Sequence, residues 1–407
     1  MRGAAVLALL AVLIAAAPAQ AVTYFVRVGG NDANRGRSPD DAFATIGRAA
    51  AVAGGEDTVE VGPGRYAEGN ITPRGGGLRR EMVRFTADVE GTRTGDPRGA
   101  VVVDASGFDV GFRLASRTWV VINGFTVTGA LEEGISVKSG SDHTVVANCI
   151  VFSNGGRGVW VRDSEDTIVF NNLIYANGGT GIDFGGERGG SSGGVAVGNT
   201  VYGNGLDGIR VEGVVPSTGM TVIANLIAQN VGSGVNLKTR SADDFVGQWN
   251  VNVDGYGSEA EAAAVDFDES PLLVAPSGGD RILGGPGHLD DDFRLRQLAA
   301  GQREESPAVD GSALTVRWLD LDRSSTRSDG QPDAGTLDIG YHYGNKSDLV
   351  SGLRRVEKRL RSLRVRAGKC QRAASRIRGG SAFCALGKNA RRSLRKQCGP
   401  GIERGCS

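Results

Sequence analysis

The sequence predicts an all-β fold, a solenoid in which short parallel strands stack coil upon coil. The first observation is a repeat, in which a glycine followed by alternating apolar and polar residues recurs every 23 to 27 residues. Such a period is typical of solenoids. The second observation is composition, since Val and Ile strands alternate with Gly and Asn corners. Together they predict a right-handed parallel β-helix. Its repeat glycines are Gly111, Gly134, Gly158, Gly181, Gly208 and Gly234.

Residues 1–21 have the pattern of a secretory signal peptide. Arg2 supplies a positive start, an alanine-rich apolar run extends from Ala4 to Ala17, and small residues end the segment at Ala21. This run is too short for a membrane-spanning helix. We therefore expect a secreted protein that begins near Val22 and has no transmembrane segment.

Residues 22–100 are predicted to form an N-terminal cap and the first coils, and residues 101–258 the repeats. The cap pattern is a strand from Tyr24, a short amphipathic helix over Phe43 to Ala53, and a second strand from Thr58. A solenoid needs such a cap to cover its first coil. One predicted inward ladder is Ile135, Val159, Ile182, Ile209 and Val235. One predicted corner column is Asn154, Asn177, Asn204 and Asn230. Cys149 falls in a second Asn column and is expected to be buried.

Residues 259–344 are predicted to close the β-helix, and residues 345–407 form a segment of different character. From Lys346 to Ser407 there are 18 Lys and Arg against 3 Asp and Glu, a net charge of +15 that the rest of the chain balances with −15. Apolar spacing from Leu349 to Arg366 predicts a helix. Four cysteines predict two disulfides of open pairing, so we expect a small, basic, disulfide-stapled helical tail. These cysteines are Cys370, Cys384, Cys398 and Cys406.

The outward positions of the repeats form a face with several cations. In a strand, outward residues alternate with inward ones. The residues two and four after each repeat glycine therefore bring Lys138, Arg162, Arg210 and Lys238 around Trp160. Such a face suits an acidic polysaccharide or a cell-wall polyanion, because the cations would meet its carboxylates and the Trp160 indole would stack on its sugar rings. The alternative is an ordinary solvated sheet face. On the same face, Asp183 and Glu212 lie one coil apart, which leaves hydrolysis by paired carboxylates as a less favoured option.

Two groups of motifs carry family resemblances. The cap segments Phe43-Ala-Thr-Ile and Asp57-Thr-Val-Glu-Val-Gly-Pro-Gly-Arg-Tyr resemble the start of secreted pectate-lyase-like β-helix proteins. The segment Glu133-Gly-Ile-Ser-Val-Lys138, followed by Arg162, resembles the alginate lyase and chondroitinase B family. That resemblance implies Lys138 as a catalytic base, Arg162 as its assistant and Glu133 as a Ca²⁺ ligand. The family's second Glu position is Leu131 here, and Asn123 is the nearest candidate for a third ligand.

The sequence thus predicts a secreted β-helix protein that interacts with an acidic polysaccharide. One hypothesis is a calcium-assisted polysaccharide lyase that acts by β-elimination on a uronate polymer. The alternative is a non-catalytic cell-surface or cell-wall glycan-binding protein of the adhesin type. No nucleotide cofactor is expected, because no glycine-rich segment opens a helix after a strand. We expect a monomer whose basic tail binds either an anionic surface, such as the cell wall, or the acidic β-helix itself.

Overall fold

The computed structural model describes residues 21–78, 81–185, 190–213, 217–238, 245–258, 266–285, 288–312, 314–344, 355–356 and 358–359. The chain winds as a parallel β-solenoid, confirming the predicted all-β fold. Each full coil contributes one strand to each of three parallel sheets, called A, B and C. Within the described residues, no helix is long and apolar enough to cross a membrane.

Sheet A consists of β1 (Thr23–Val26), β2 (Thr58–Val61), β4 (Val83–Ala87), β7 (Val120–Asn123), β10 (Val145–Ala147), β13 (Ile168–Phe170), β16 (Val195–Val197), β19 (Thr221–Ile223) and β22 (Phe245–Gln248). Sheet B consists of β3 (Gly64–Tyr66), β5 (Val101–Asp104), β8 (Thr126–Thr128), β11 (Ile150–Phe152), β14 (Leu173–Tyr175), β17 (Thr200–Tyr202), β20 (Leu226–Ala228) and β23 (Val251–Asn252). Sheet C consists of β6 (Phe112–Ala115), β9 (Ile135–Lys138), β12 (Val159–Arg162), β15 (Ile182–Phe184), β18 (Ile209–Val211), β21 (Val235–Leu237) and β24 (Tyr256–Ser258).

The repeat glycines stand where neighbouring coils come closest. A Cβ atom added to Gly181 would lie 2.8 Å from the Gly208 carbonyl oxygen and 2.4 Å from a Val201 methyl group. A side chain at this position would therefore push the coils apart, which explains why glycine recurs there. The predicted inward ladder behind these glycines is confirmed, since all five of its side chains are fully buried.

Two columns of asparagines bond the corners of adjacent coils. Asn177 Nδ2 donates to Asn204 Oδ1 over 3.0 Å, and Asn204 Nδ2 donates to Asn230 Oδ1 over 2.8 Å, as the corner prediction requires. The second column begins at Cys149, which is buried and whose backbone N–H donates to Asn172 Oδ1. Each amide thus satisfies buried backbone groups of its own coil and of a neighbouring one.

The cap contains the short helix α1 (Ile46–Ala50), which is shorter than the predicted Phe43 to Ala53. The Glu68 carboxylate accepts hydrogen bonds from the backbone N–H groups of Ile46 and Gly47, at 2.7 and 2.8 Å. Ile46 is fully buried against the first coil. The helix is thus held by one carboxylate at its start and by its apolar face.

The closing region covers the outer faces of two sheets. Its β25 (Leu273–Ala275) and β26 (Asp292–Leu295) pair antiparallel, as do β27 (Ser324–Ser325) and β28 (Tyr343–Gly344). Leu319 and Leu321 join an apolar cluster on the outer face of sheet A, and Phe293 and Tyr341 join one on sheet B. Neither cluster includes a described residue of sheet C. Among the described residues, the closing region therefore packs no apolar cluster on the outer face of sheet C.

The described part of the tail begins as a helix docked on this closing region. Residues 355–356 and 358–359 are helical, as predicted for this stretch. Val356 is fully buried in the apolar cluster on sheet A. Arg355 and Arg359 pair with Asp320 at 3.3 and 3.4 Å. The four tail cysteines and residues 1–20 of the predicted signal peptide lie outside the described residues.

Candidate functional site

The outer face of sheet C carries a cluster of three cations around one indole. Lys138 and Arg162 are paired in register at the ends of β9 and β12. Lys138 Nζ lies 5.1 Å from the centre of the Trp160 ring, and the Arg162 and Arg157 guanidinium carbons lie 4.7 and 4.4 Å from it. The Trp160 indole N–H donates to the Gly185 carbonyl over 2.7 Å, which fixes the ring. The sequence correctly placed Lys138 and Arg162 beside Trp160.

Arg157 is the residue of this cluster that the sequence reasoning missed. It lies just before the repeat glycine of its coil, in the column that holds Glu133 one coil earlier. Arg157 Nε donates to Asp183 Oδ2 over 2.6 Å, and its guanidinium lies 3.6 Å from Glu133 Oε1. The signal for Arg157 in the sequence is its place directly before a repeat glycine, the place that Glu133 has one coil earlier.

Burial shifts the titration of two groups in the cluster. Burial lowers the pKa of Lys138, and the nearby Arg113 and Arg162 lower it further, while Glu133 opposes the shift. Burial raises the pKa of Glu133, whereas Lys138 and Arg157 act in the opposite direction. Both shifts favour the neutral form, the free amine of Lys138 and the protonated carboxyl group of Glu133, since burial removes the hydration that each charged form needs.

The remaining predicted site residues form a chain of ion pairs further along the sheet. Arg210 Nη2 donates to Asp183 Oδ2 over 2.6 Å and lies 3.3 Å from Glu212 Oε1. Lys238 Nζ lies 2.9 Å from Glu212 Oε2. The prediction that Arg210 and Lys238 join the cations around Trp160 therefore needs correction, because buried or half-buried carboxylates on adjacent coils engage both.

The expected outward column is also less exposed than its alternation indicates. Asp183 and Ser136 are fully buried, although they point away from the coil interior. Asp183 lies between the guanidinium groups of Arg157 and Arg210. Because Asp183 has no exposed surface, a glycosidic bond cannot reach its carboxylate, whereas retaining hydrolysis requires both carboxylates of a pair beside that bond. The geometry therefore gives Asp183 and Glu212 a structural role and does not favour the hydrolase option.

The residues around Glu133 do not assemble the calcium set that the resemblance implies. Asn123 lies on β7 of sheet A, where its Oδ1 accepts a hydrogen bond from Asn148 Nδ2 over 2.7 Å. Leu131 is exposed and supplies no oxygen side chain. Across the described ranges, no group of three or more His, Cys, Asp or Glu residues could hold a metal ion together. Glu133 instead faces Arg157, and calcium at Glu133 stays a prediction.

A shallow groove adjoins the ends of β9 and β12. It has a volume of about 470 Å³ and is lined by polar groups that include Asp142, Asp163, Glu165 and Ser191. The Ser141 backbone N–H donates to Ser164 Oγ over 3.1 Å, which orders the corner that forms its floor. Three of its lining residues are acidic, so the groove differs in charge from the adjoining cation cluster.

Comparisons with known proteins agree with the fold. Residues 109–254 match the family model described as "Right handed beta helix region". No curated protein matches the chain. The family match and the parallel sheets A, B and C agree that these coils form a right-handed parallel β-helix.

Solved structures that the chain resembles include the pectate lyase Pel9A, with 18% identity, a TM-score of 0.43 and coverage of 55% of this chain and 62% of Pel9A. XylC in complex with xylose has 12% identity, a TM-score of 0.43 and coverage of 58% and 64%. A rhamnogalacturonan lyase has 15% identity, a TM-score of 0.37 and coverage of 83% and 99%. The chain therefore spans less than two thirds of Pel9A and of XylC, and the likeness concerns the fold.

Proposed function

We propose that this chain is a secreted protein that binds an acidic polysaccharide on the outer face of sheet C. The observation that supports the proposal is the side-by-side placement of Lys138 and Arg162. Among the described residues, Lys138 makes no ion pair, and Arg162 has only a 3.5 Å contact with the half-exposed Asp163. Two adjacent cations, neither of them in a close ion pair with a buried carboxylate, are suited to a carboxylate or sulfate group of a sugar.

Trp160 serves this site as a support for the cations. Three cationic groups lie within 5.1 Å of its ring centre, so they occupy the ring surface on which a sugar would otherwise stack. Cation–π attraction offsets part of the repulsion between like charges that stand close together. The indole therefore keeps Lys138, Arg157 and Arg162 in one cluster before any ligand binds, which lowers the ordering cost of binding.

A lyase activity is the second candidate, and the lowered pKa of Lys138 favours it. A neutral Lys138 amine can accept the proton from the carbon next to a uronate carboxylate, while Arg162 pairs with that carboxylate and acidifies the C–H bond. The electron pair of that bond forms a C=C bond, and the glycosidic C–O bond breaks. The leaving oxygen takes a proton from water. Lys138 ends protonated and returns its proton to solvent.

The basic tail supplies a second place for an anionic polymer. Its net charge of +15 suits cell-wall phosphate polymers or acidic glycans, so the tail can act as a tether at the cell wall. Asp320, which pairs with Arg355 and Arg359, anchors the start of the tail on the closing region. In the alternative role, the whole tail would dock on the acidic β-helix and would not act as a tether.

One experiment separates binding from catalysis. Purified protein from Val22 onward is mixed with alginate, pectate and chondroitin sulfate, with Ca²⁺ or with a chelator. Binding is measured by calorimetry, and elimination by the ultraviolet absorbance of unsaturated uronate. Binding that K138Q and R162Q both weaken supports the proposed site, and absorbance lost in K138Q adds the lyase. Retained binding by both variants contradicts the site.

A further inference from the structure

A buried group of oxygen atoms lies on the outer face of sheet A, away from the cation cluster of sheet C. Glu60 on β2 and Thr86 on β4 are paired in register, so their side chains stand next to each other on one face. Adjacent parallel strands are about 4.8 Å apart. Asp88 directly follows β4, and its carboxylate lies close enough to Glu60 to act on the charge of that residue.

Each of the three side chains has an oxygen without a hydrogen-bond partner, although all three are at least 96% buried. These atoms are Glu60 Oε2, Thr86 Oγ1 and Asp88 Oδ1. The other Asp88 oxygen accepts hydrogen bonds from the backbone N–H groups of Arg93 and Thr94, both at 2.8 Å. Buried polar atoms normally have partners, so three such oxygens in one place point to a missing positive group.

The charges around these three oxygens also indicate a missing positive group. Arg93 is the one cation that acts on Glu60 among the described groups, at 3.5 Å from Oε1, and its side chain is half exposed. Arg84, on the same strand as Thr86, instead donates to the Met82 carbonyl over 3.2 Å. Of the two buried carboxylates, only Glu60 has a guanidinium beside it among the described residues, and that group is half exposed. Burial, with Asp88 nearby, raises the pKa of Glu60 to about 7, so the site disfavours a second full negative charge.

We propose that Glu60, Thr86 and Asp88 form a binding site for a hard cation, with Ca²⁺ as the ion that this oxygen set fits. Carboxylate and hydroxyl oxygens without nitrogen or sulfur ligands select hard cations. The site joins the first two strands of sheet A to the loop of residues 88–96, so the ion would stabilise the cap. It is independent of the proposed polysaccharide site, from which it differs in sheet and coil.

Thermal unfolding of the full mature chain tests the proposal. The protein is first treated with chelator and dialysed, and its unfolding is then followed at neutral pH with CaCl2, with MgCl2 or with NaCl of equal ionic strength. We expect Ca²⁺ to raise Tm by several degrees and to bind at one ion per chain by elemental analysis. E60Q should abolish both effects.

The control is E90Q, because Glu90 lies in the same loop but pairs with Arg98 at 3.4 Å near the surface. E90Q and E133Q should keep the full Ca²⁺ effect, and R93Q should tighten Ca²⁺ binding severalfold by removing a competing charge. D88N is less decisive, since Asp88 also orders the loop. No bound Ca²⁺ in the wild type, or a Ca²⁺ effect that survives E60Q, overturns the proposal. A Tm that depends on pH through Glu60 without any Ca²⁺ effect also overturns it, and then a proton is the missing charge.

Discussion

Replacing Arg157 by Gln is expected to separate the stability of the sheet C face from its ligand binding. The substitution removes the 2.6 Å hydrogen bond to the fully buried Asp183 and the contact with Trp160 at 4.4 Å. A hydrogen bond to a charged partner contributes about 1.5–3 kcal/mol, and a partly exposed cation–π contact about 0.5–1 kcal/mol. Asp183 keeps its bond to Arg210, so we expect a loss of about 2–4 kcal/mol in the free energy of unfolding.

The matched control is R162Q, since Arg162 lies on the same ring at 4.7 Å but contacts only the half-exposed Asp163. Its exposed ion pair contributes about 0–1 kcal/mol and its cation–π contact about 0.5–1 kcal/mol, so R162Q should lower the free energy of unfolding by at most about 1–2 kcal/mol, less than R157Q. Its effect should fall on binding. Loss of one charge-assisted contact of about 1.5–3 kcal/mol corresponds to a roughly 10- to 100-fold weaker Kd.

The assay is urea unfolding followed by fluorescence, beside calorimetric titration with an acidic oligosaccharide. R157Q should unfold at clearly lower urea than R162Q, and R162Q should unfold close to the wild type but bind weakly. Equal unfolding midpoints for the two variants would refute the role given to the Arg157–Asp183 bond. Equal affinities for R162Q and the wild type would refute the placement of the ligand beside Trp160.

Three further outcomes are expected. Because Lys138 has a lowered pKa, it loses its charge at a lower pH than an ordinary lysine. As pH rises through that pKa, binding of an acidic glycan should weaken, whereas the rate of an elimination reaction should increase. Parallel pH profiles of Kd and of the initial rate distinguish these two cases. N199A should lower the free energy of unfolding, measured by urea unfolding, by about 3 kcal/mol or more, since the Asn199 side chain makes four hydrogen bonds of 2.9–3.0 Å. An unchanged urea midpoint would show that the asparagine column does not stabilise the coils. G181A should cost about 1–3 kcal/mol or more by overpacking, and a thermal melt equal to that of the wild type would show that the coils can separate there without cost.

The inward-facing positions of this fold could be predicted from the sequence because they follow two periods, the two-residue alternation of a strand and the length of the repeat. Alternation along a strand decides which residues face inward, and the repeat length decides which residues stack. Ile182 and Asn204 were therefore placed correctly, as was the position of Gly181 at the start of a coil. At these inward and corner positions, the distance between neighbouring coils decides which residue types fit. That distance is the same in every turn of the solenoid.

The contacts of the outward-facing residues could be predicted only in part, because a long side chain can reach several different partners. The sequence placed Lys138, Arg162 and Trp160 together, since they are close in column and coil. It could not show that Arg210 turns to Asp183, or that Lys238 turns to Glu212, because these pairs depend on rotamers in three dimensions.

The sequence by itself determined the solenoid, its repeat glycines, its inward ladder and the position of the cation face. Tertiary structure decided that the described part of the closing region packs on sheets A and B and not on sheet C. It also placed Arg157 between Glu133 and Asp183, and brought Glu60 beside Thr86. The physical reason is that short-range periodicity governs backbone hydrogen bonding and inward packing, whereas charge pairing and coverage depend on segments that are distant in sequence.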